Sequence, residues 1–189
     1  MLRSLAALIL LASPATPPAL AMTFENHCQG NALESCYIIA EGIIAPEDVA
    51  TFAAHDFSDM VNIALNSPGG SLTAGLELGR IIREKGLTTW IGTKQSVLNG
   101  DTPPLGGECL SACAYTFAGG IRRHLQTDNQ LGFHRFFVEG EIAISGAQGI
   151  DAGQEMATKV IAYLVEMGID PRIFVAGFEK TAKDMLYLS

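Results

Sequence analysis

Three short stretches of this 189-residue chain carry groups suited to acyl transfer. The first is Gly107-Glu108-Cys109-Leu110-Ser111-Ala112-Cys113-Ala114-Tyr115. Ser111 stands among small apolar neighbours near the expected start of a short helix. A developing anion there would meet unpaired backbone N–H groups and the positive helix end. The plainer role for a serine at that position is a helix cap. The second stretch is Phe133-His134-Arg135-Phe136, a histidine with aromatic flanks after a short apolar run. It acts as a base only if folding brings it within hydrogen-bond reach of a nucleophile, and otherwise it is a core or edge residue. The third is Asn66-Ser67-Pro68-Gly69-Gly70-Ser71, between an expected strand and an expected helix. Such a junction aims backbone N–H groups at an anion, and its glycines admit a second backbone. The lysine and spacing of a P-loop are missing, so phosphate binding is not expected.

The elements that must hold these groups follow from periodicity and punctuation. Strands are expected at 36–44, 60–65, 87–91, 121–125 and 131–137, from short apolar runs bounded by turn residues. Helices are expected at 47–57 after Pro46, at 71–85 capped by Ser71 and stopped by Gly86, at 109–117, at 152–167 stopped by Gly168, and after Asp170-Pro171. Residues 92–107 read as a loop long enough to have a function. Strands alternating with helices predict an α/β domain with largely parallel pairing.

Composition narrows the setting. Arg3, the apolar run Leu5–Ala12, the prolines at 14, 17 and 18, and Ala19-Leu20-Ala21 have the order of a cleavable export signal, cut after Ala21. The expected organisation is a signal peptide over residues 1–21 and one domain over 22–189 in a periplasmic or secreted protein. The charge of −8 argues against nucleic acid and anionic membrane surfaces as partners. Cys28, Cys36, Cys109 and Cys113 would reach an oxidising compartment, where disulfides form. Four cysteines allow three pairings, of which Cys28 with Cys36 is the local choice. Cys109 and Cys113 bracket Ser111, and a bond between them requires Cys109 to lie before the first helical turn. The spacings do not form two tight Cys-x-x-Cys clips, so neither zinc nor another cofactor is expected.

Leu65-Asn66-Ser67-Pro68-Gly69-Gly70, then a small-residue helix bearing Ser111, then a strand ending at His134, resembles the proteolytic subunit of Clp protease in the crotonase-like superfamily. The sequence is most similar to exported relatives with Ser-Ala-Cys at the nucleophile. The resemblance runs from about Cys36 to the C-terminus. It implies a parallel β-sheet with flanking helices and a serine peptidase acting on peptides or unfolded segments without an ATP-driven unfoldase. It implies Ser111 as nucleophile, His134 as general base, and the Gly70 and Ala112 amides as the oxyanion hole. It implies Asp184 as the third member, with Asp170 as the alternative. Signal-peptide peptidases share the sheet but use a lysine base, and no lysine lies between Cys109 and His134. The segment between Gly70 and Ser111 is longer than in Clp proteases, and the excess over 92–107 is either a lid or a plug. The residues after His134 resemble the family's projecting helix, which joins subunits; the alternative is a helix packed on its own sheet. Two other functions compete: a non-catalytic binding or assembly module on the same fold, and a thiol–disulfide protein using Cys109 and Cys113.

Overall fold

The computed structural model describes residues 21–30, 32, 35–136, 145–181 and 184–188. The stretch read as an export signal lies outside them except for Ala21.

A five-stranded sheet carries the fold, in the order β1 (Thr23–Cys28), β2 (Cys36–Glu41), β3 (Asn62–Asn66), β4 (Thr88–Ile91) and β6 (Arg122–His124). β2, β3, β4 and β6 run parallel, and β1 closes one edge antiparallel to β2. A second sheet is built from β5 (Glu108–Leu110), β7 (Gln130–Phe133) and β8 (Leu186–Leu188), with β5 parallel and β8 antiparallel to β7. The sheets meet at Ser67. Its amide donates to the Glu108 carbonyl at 2.7 Å, and the Leu110 amide donates to the Ser67 carbonyl at 3.0 Å. The residue that follows β3 is thereby clamped to the strand that leads into Ser111.

Both faces of the large sheet are covered, so β2 reads as an unbroken apolar run. Ile38 and Ala40 join the main core, while Tyr37 and Ile39 alternate to the other face with Ala64 and Val97. α1 (Asp48–Ala53) follows β2, and α2 (Leu72–Glu84) follows β3. Ser71 caps α2 by accepting from the Ala74 amide at 3.3 Å. α4 (Ala112–Ala118) lies against α2 at backbone contact. A Cβ at Gly75 would sit 2.7 Å from the Ala112 carbonyl oxygen, and one at Gly79 would strike the Tyr163 hydroxyl. Thr116 donates to the Gly75 carbonyl at 3.0 Å across the same contact.

The expected loop at 92–107 contains α3 (Lys94–Asn99), capped by the Thr93 hydroxyl and ended by Gly100 at φ 88°. Val97 of this helix belongs to the smaller core on the far face of the sheet. Asn129 ties the segment down, donating to the Ile91 and Pro104 carbonyls at 2.6 and 3.2 Å and accepting from the Gly107 amide at 2.9 Å.

α5 (Gly146–Glu166) begins six residues before the expected start. Ser145 and Gln148 form a reciprocal capping box, with the Gln148 amide donating to Ser145 Oγ at 3.2 Å and the Ser145 amide donating to Gln148 Oε1 at 2.9 Å. Its buried side chains are Val160, Tyr163 and Leu164, all in the C-terminal half. Tyr163 fixes that half by donating to the Tyr115 carbonyl at 2.7 Å. α6 (Arg172–Phe178) packs on β7, where a Cβ at Gly177 would lie 3.1 Å from Phe133 Cβ. Among the described residues no helix is long and apolar enough to cross a membrane.

Candidate active site

Ser111 is the hinge between β5 and α4. Its backbone has φ 55° and ψ −118°, a region that non-glycine residues enter at a cost of about 1–3 kcal/mol. Neighbouring contacts enforce it. The Ser111 amide donates to the Gly132 carbonyl at 2.9 Å, and its carbonyl accepts from the Ala114 amide at 3.0 Å. Cys109 on β5 is disulfide-bonded to Cys113 on α4, closing a ring around the serine, and both are buried. This meets the condition read from the spacing, because Cys109 lies on a strand and not in the helix. The Ser111 side chain makes no capping hydrogen bond. A strand-to-helix turn with a serine at its strained apex is how a hydroxyl is projected from a sheet toward substrate.

Gly69 and Gly70 pass directly beside this turn. A Cβ on Gly69 would lie 2.8 Å from Ser111 Cβ and 3.2 Å from the Ala112 nitrogen. Gly70 has φ 138°, and a Cβ there would collide with the Ile44 carbonyl. Ile44 holds the segment from the other side, donating to the Gly69 carbonyl and accepting from the Ser71 amide, each at 2.8 Å. Both glycines are needed for close backbone approach. The amides of Gly70 and Ala112 donate no hydrogen bond among the described residues.

Ser111, His134, Gly69 and Gly70 line one cavity of about 660 Å³. The other walls are Ile43, Ile44, Ala45, Pro46, Pro68, Ser71, Leu72, Tyr115 and Phe136. No aspartate, glutamate, lysine or arginine is among the described lining residues. His134 follows β7 and is 8% exposed. Its Nδ1 is 2.7 Å from the Arg135 carbonyl oxygen. A carbonyl only accepts, so that contact puts the proton on Nδ1 and makes Nε2 the basic nitrogen.

Asp184 does not line the cavity. Its Oδ2 accepts from the Thr181 hydroxyl at 2.9 Å, and the side chain is exposed. Pairing of β8 with β7 ends at Phe133 and Leu186, two residues after Asp184, and beyond it the Arg135 amide donates to the Lys180 carbonyl at 3.4 Å. Asp170 is committed elsewhere. It accepts from the Arg172 amide at 2.9 Å and pairs with the Arg172 guanidinium, which together hold its carboxyl below the usual range at the start of α6. No described residue of 92–107 lines the cavity, so that segment is neither lid nor plug over it. It covers the opposite face of the sheet.

Cys28 and Cys36 face each other across β1 and β2 and are disulfide-bonded. Among the described residues no group of three His, Cys, Asp or Glu side chains is placed to hold a metal. The sequence reading missed the cavity walls Ile43, Pro46, Tyr115 and Phe136. Two of them carried a local signal: Tyr115, four residues after Ser111 on the same helix, and Phe136, two residues after His134.

No family model matches the chain, and no curated protein matches it by sequence. Solved structures do. A mutant ClpP1 from Listeria monocytogenes superposes with a TM-score of 0.52 at 19% identity, covering 83% of this chain and 84% of that one. A mutant of the 1510-N membrane-bound stomatin-specific protease gives 0.49 at 18% identity, covering 80% of this chain and 70% of that one. With its mostly parallel sheet and flanking helices, this chain has the ClpP-like fold.

Proposed function

We propose that this protein is an exported serine hydrolase, a peptidase that acts on peptides or unfolded segments by acyl transfer. One observation carries the reading: a serine held at positive φ, its hydroxyl unused as a cap, shares a cavity with a buried histidine whose proton is on Nδ1. His134 Nε2 takes the proton of Ser111 as Oγ attacks a carbonyl carbon. The Gly70 and Ala112 amides receive the oxyanion. His134 then returns the proton to the leaving amine, and water repeats the sequence to release the acid. Losing one such amide donor lowers the rate about 10²–10³-fold. Asp184 is the third member in this proposal. The nearness of β8 to the end of β7 supports it, since Asp184 lies two residues before β8 and His134 one residue after β7; its carboxylate would leave Thr181 to receive the Nδ1–H.

Two disulfide-bonded cysteine pairs support an oxidising compartment and, with it, export and cleavage after Ala21, leaving a single domain from Met22 onward. The N-terminal half of α5, with no buried side chain, supports assembly into a homo-oligomer. A second reading, a binding module without catalysis, is favoured by the Asp184 carboxylate, which is exposed and held by the Thr181 hydroxyl away from the cavity lining. Labelling separates the two. A fluorophosphonate probe is expected to modify the mature protein at Ser111, and Ser111→Ala is expected to abolish the signal. Labelling that survives that substitution removes the proposed nucleophile, and no labelling of the intact protein favours the binding module.

A further inference from the structure

We infer that the Tyr115 hydroxyl determines specificity at this site, donating a hydrogen bond to an uncharged acceptor at the tip of an otherwise apolar substrate side chain, the chemistry of glutamine. The inference rests on reading the cavity as the place where a peptide binds. Tyr115 lies one helical turn after Ser111, and helical side chains lean toward the N-terminus, so its ring covers the serine's own turn. The residue is 5% exposed and lines the cavity. Its ring is fixed edge-on to Phe133, with centroids 5.6 Å apart. The Tyr163 bond goes to the Tyr115 carbonyl, and the Tyr115 hydroxyl meets no partner among the described residues. The hydroxyl oxygen is not sealed from solvent, so it is open to a side chain bound in the cavity.

The surroundings select what could supply it. Ile43, Pro46, Leu72 and Phe136 surround the cavity with apolar surface, which suits an aliphatic stem. No lysine or arginine is among the described lining residues to compensate a carboxylate, so a glutamate tip is disfavoured. Burial pushes the phenol far above its ordinary pKa, so it remains a donor through the physiological range. A methionine of similar length would offer the donor only a weakly accepting thioether, which penalises it. Discrimination of glutamine over methionine by one neutral hydrogen bond is about 5–10-fold.

The test is calorimetric titration of the mature Ser111→Ala protein with two peptides that differ only by glutamine or methionine at the residue preceding the scissile bond. Glutamine is expected to bind about 5–10-fold more tightly. Adding Tyr115→Phe, which keeps the ring and its packing on Phe133, is expected to bring the ratio to about one with an unchanged unfolding midpoint. Equal affinity at the start, a ratio that survives the phenylalanine, or no binding of either peptide overturns the inference. If the ratio behaves as expected but the intact protein releases no product from either peptide, the peptidase reading fails while the Tyr115 contact stands.

Discussion

The two disulfides make similar covalent loops in different mechanical settings. Cys28–Cys36 spans eight residues and staples the outer hairpin β1–β2, with Cys28 exposed. Cys109–Cys113 spans four residues, is buried at both ends and encloses the serine at positive φ. Chain entropy gives the two loops comparable weight, about 2–3 kcal/mol each, because closure depends only on the logarithm of length. What differs is what lies inside the loop. The first restrains an edge strand. The second restrains a turn whose conformation the backbone resists, and through it the position of the proposed nucleophile.

Replacing Cys109 and Cys113 together by alanine should break that comparison open. We expect fluorophosphonate labelling of Ser111 to slow by at least about 10²-fold while the far-ultraviolet circular dichroism stays native, since a misplaced nucleophile is costly in rate. A double variant that labels at the native rate would show that Gly132 and Ser67 hold the turn unaided. Replacing Cys28 and Cys36 should give the converse pattern. Stability should fall by about 2–3 kcal/mol in denaturant titrations, with the labelling rate within about 2-fold of native. A large rate loss there would mean that β1 communicates with the site.

The smallest expected effect is one of pH, and it belongs to the outer hairpin. His55 donates to Asn26 Oδ1 of β1 at 2.7 Å and packs beside Phe24, Phe52 and Phe57. Burial lowers its pKa below the ordinary 6.5, with Asp56 opposing. The folded state thus prefers the neutral ring. That contribution is complete above pH 6.5 and is lost as the pH falls through 6.5 toward the folded value. A modest drop in unfolding midpoint between pH 7 and pH 5.5 should therefore shrink in His55→Gln. An identical drop in the variant would assign the pH response to other groups.

Much of this molecule is written in short-range signals. The Ser71 cap and Gly86 stop bound α2 within a residue of expectation, because capping depends on groups three or four residues apart. The apolar runs of β2, β3 and β4 were recognisable because both sheet faces are covered. Some local signals were present but overlooked. Thr93 with Ser96 caps α3, Asn99-Gly100 ends it, and Ser145 with Gln148 opens α5. Other elements had no local signal at all. β5 is three residues long and read as the start of a helix; it is extended because Ser67 on one side and β7 on the other supply its hydrogen bonds. β1 and β8 likewise exist as edges completed by a neighbouring strand.

The order and identity of the chemistry-bearing residues were available from residue types alone: a glycine pair after a strand, a serine among small residues and a histidine after a strand. Their convergence on one cavity was not, nor was the strained turn at Ser111, the covering role of residues 92–107 or the turning of the Asp184 carboxylate to Thr181. Those depend on hydrogen bonds and contacts between segments tens of residues apart. Local propensity carries no record of such partners, and a residue at positive φ persists only because distant backbone holds it there.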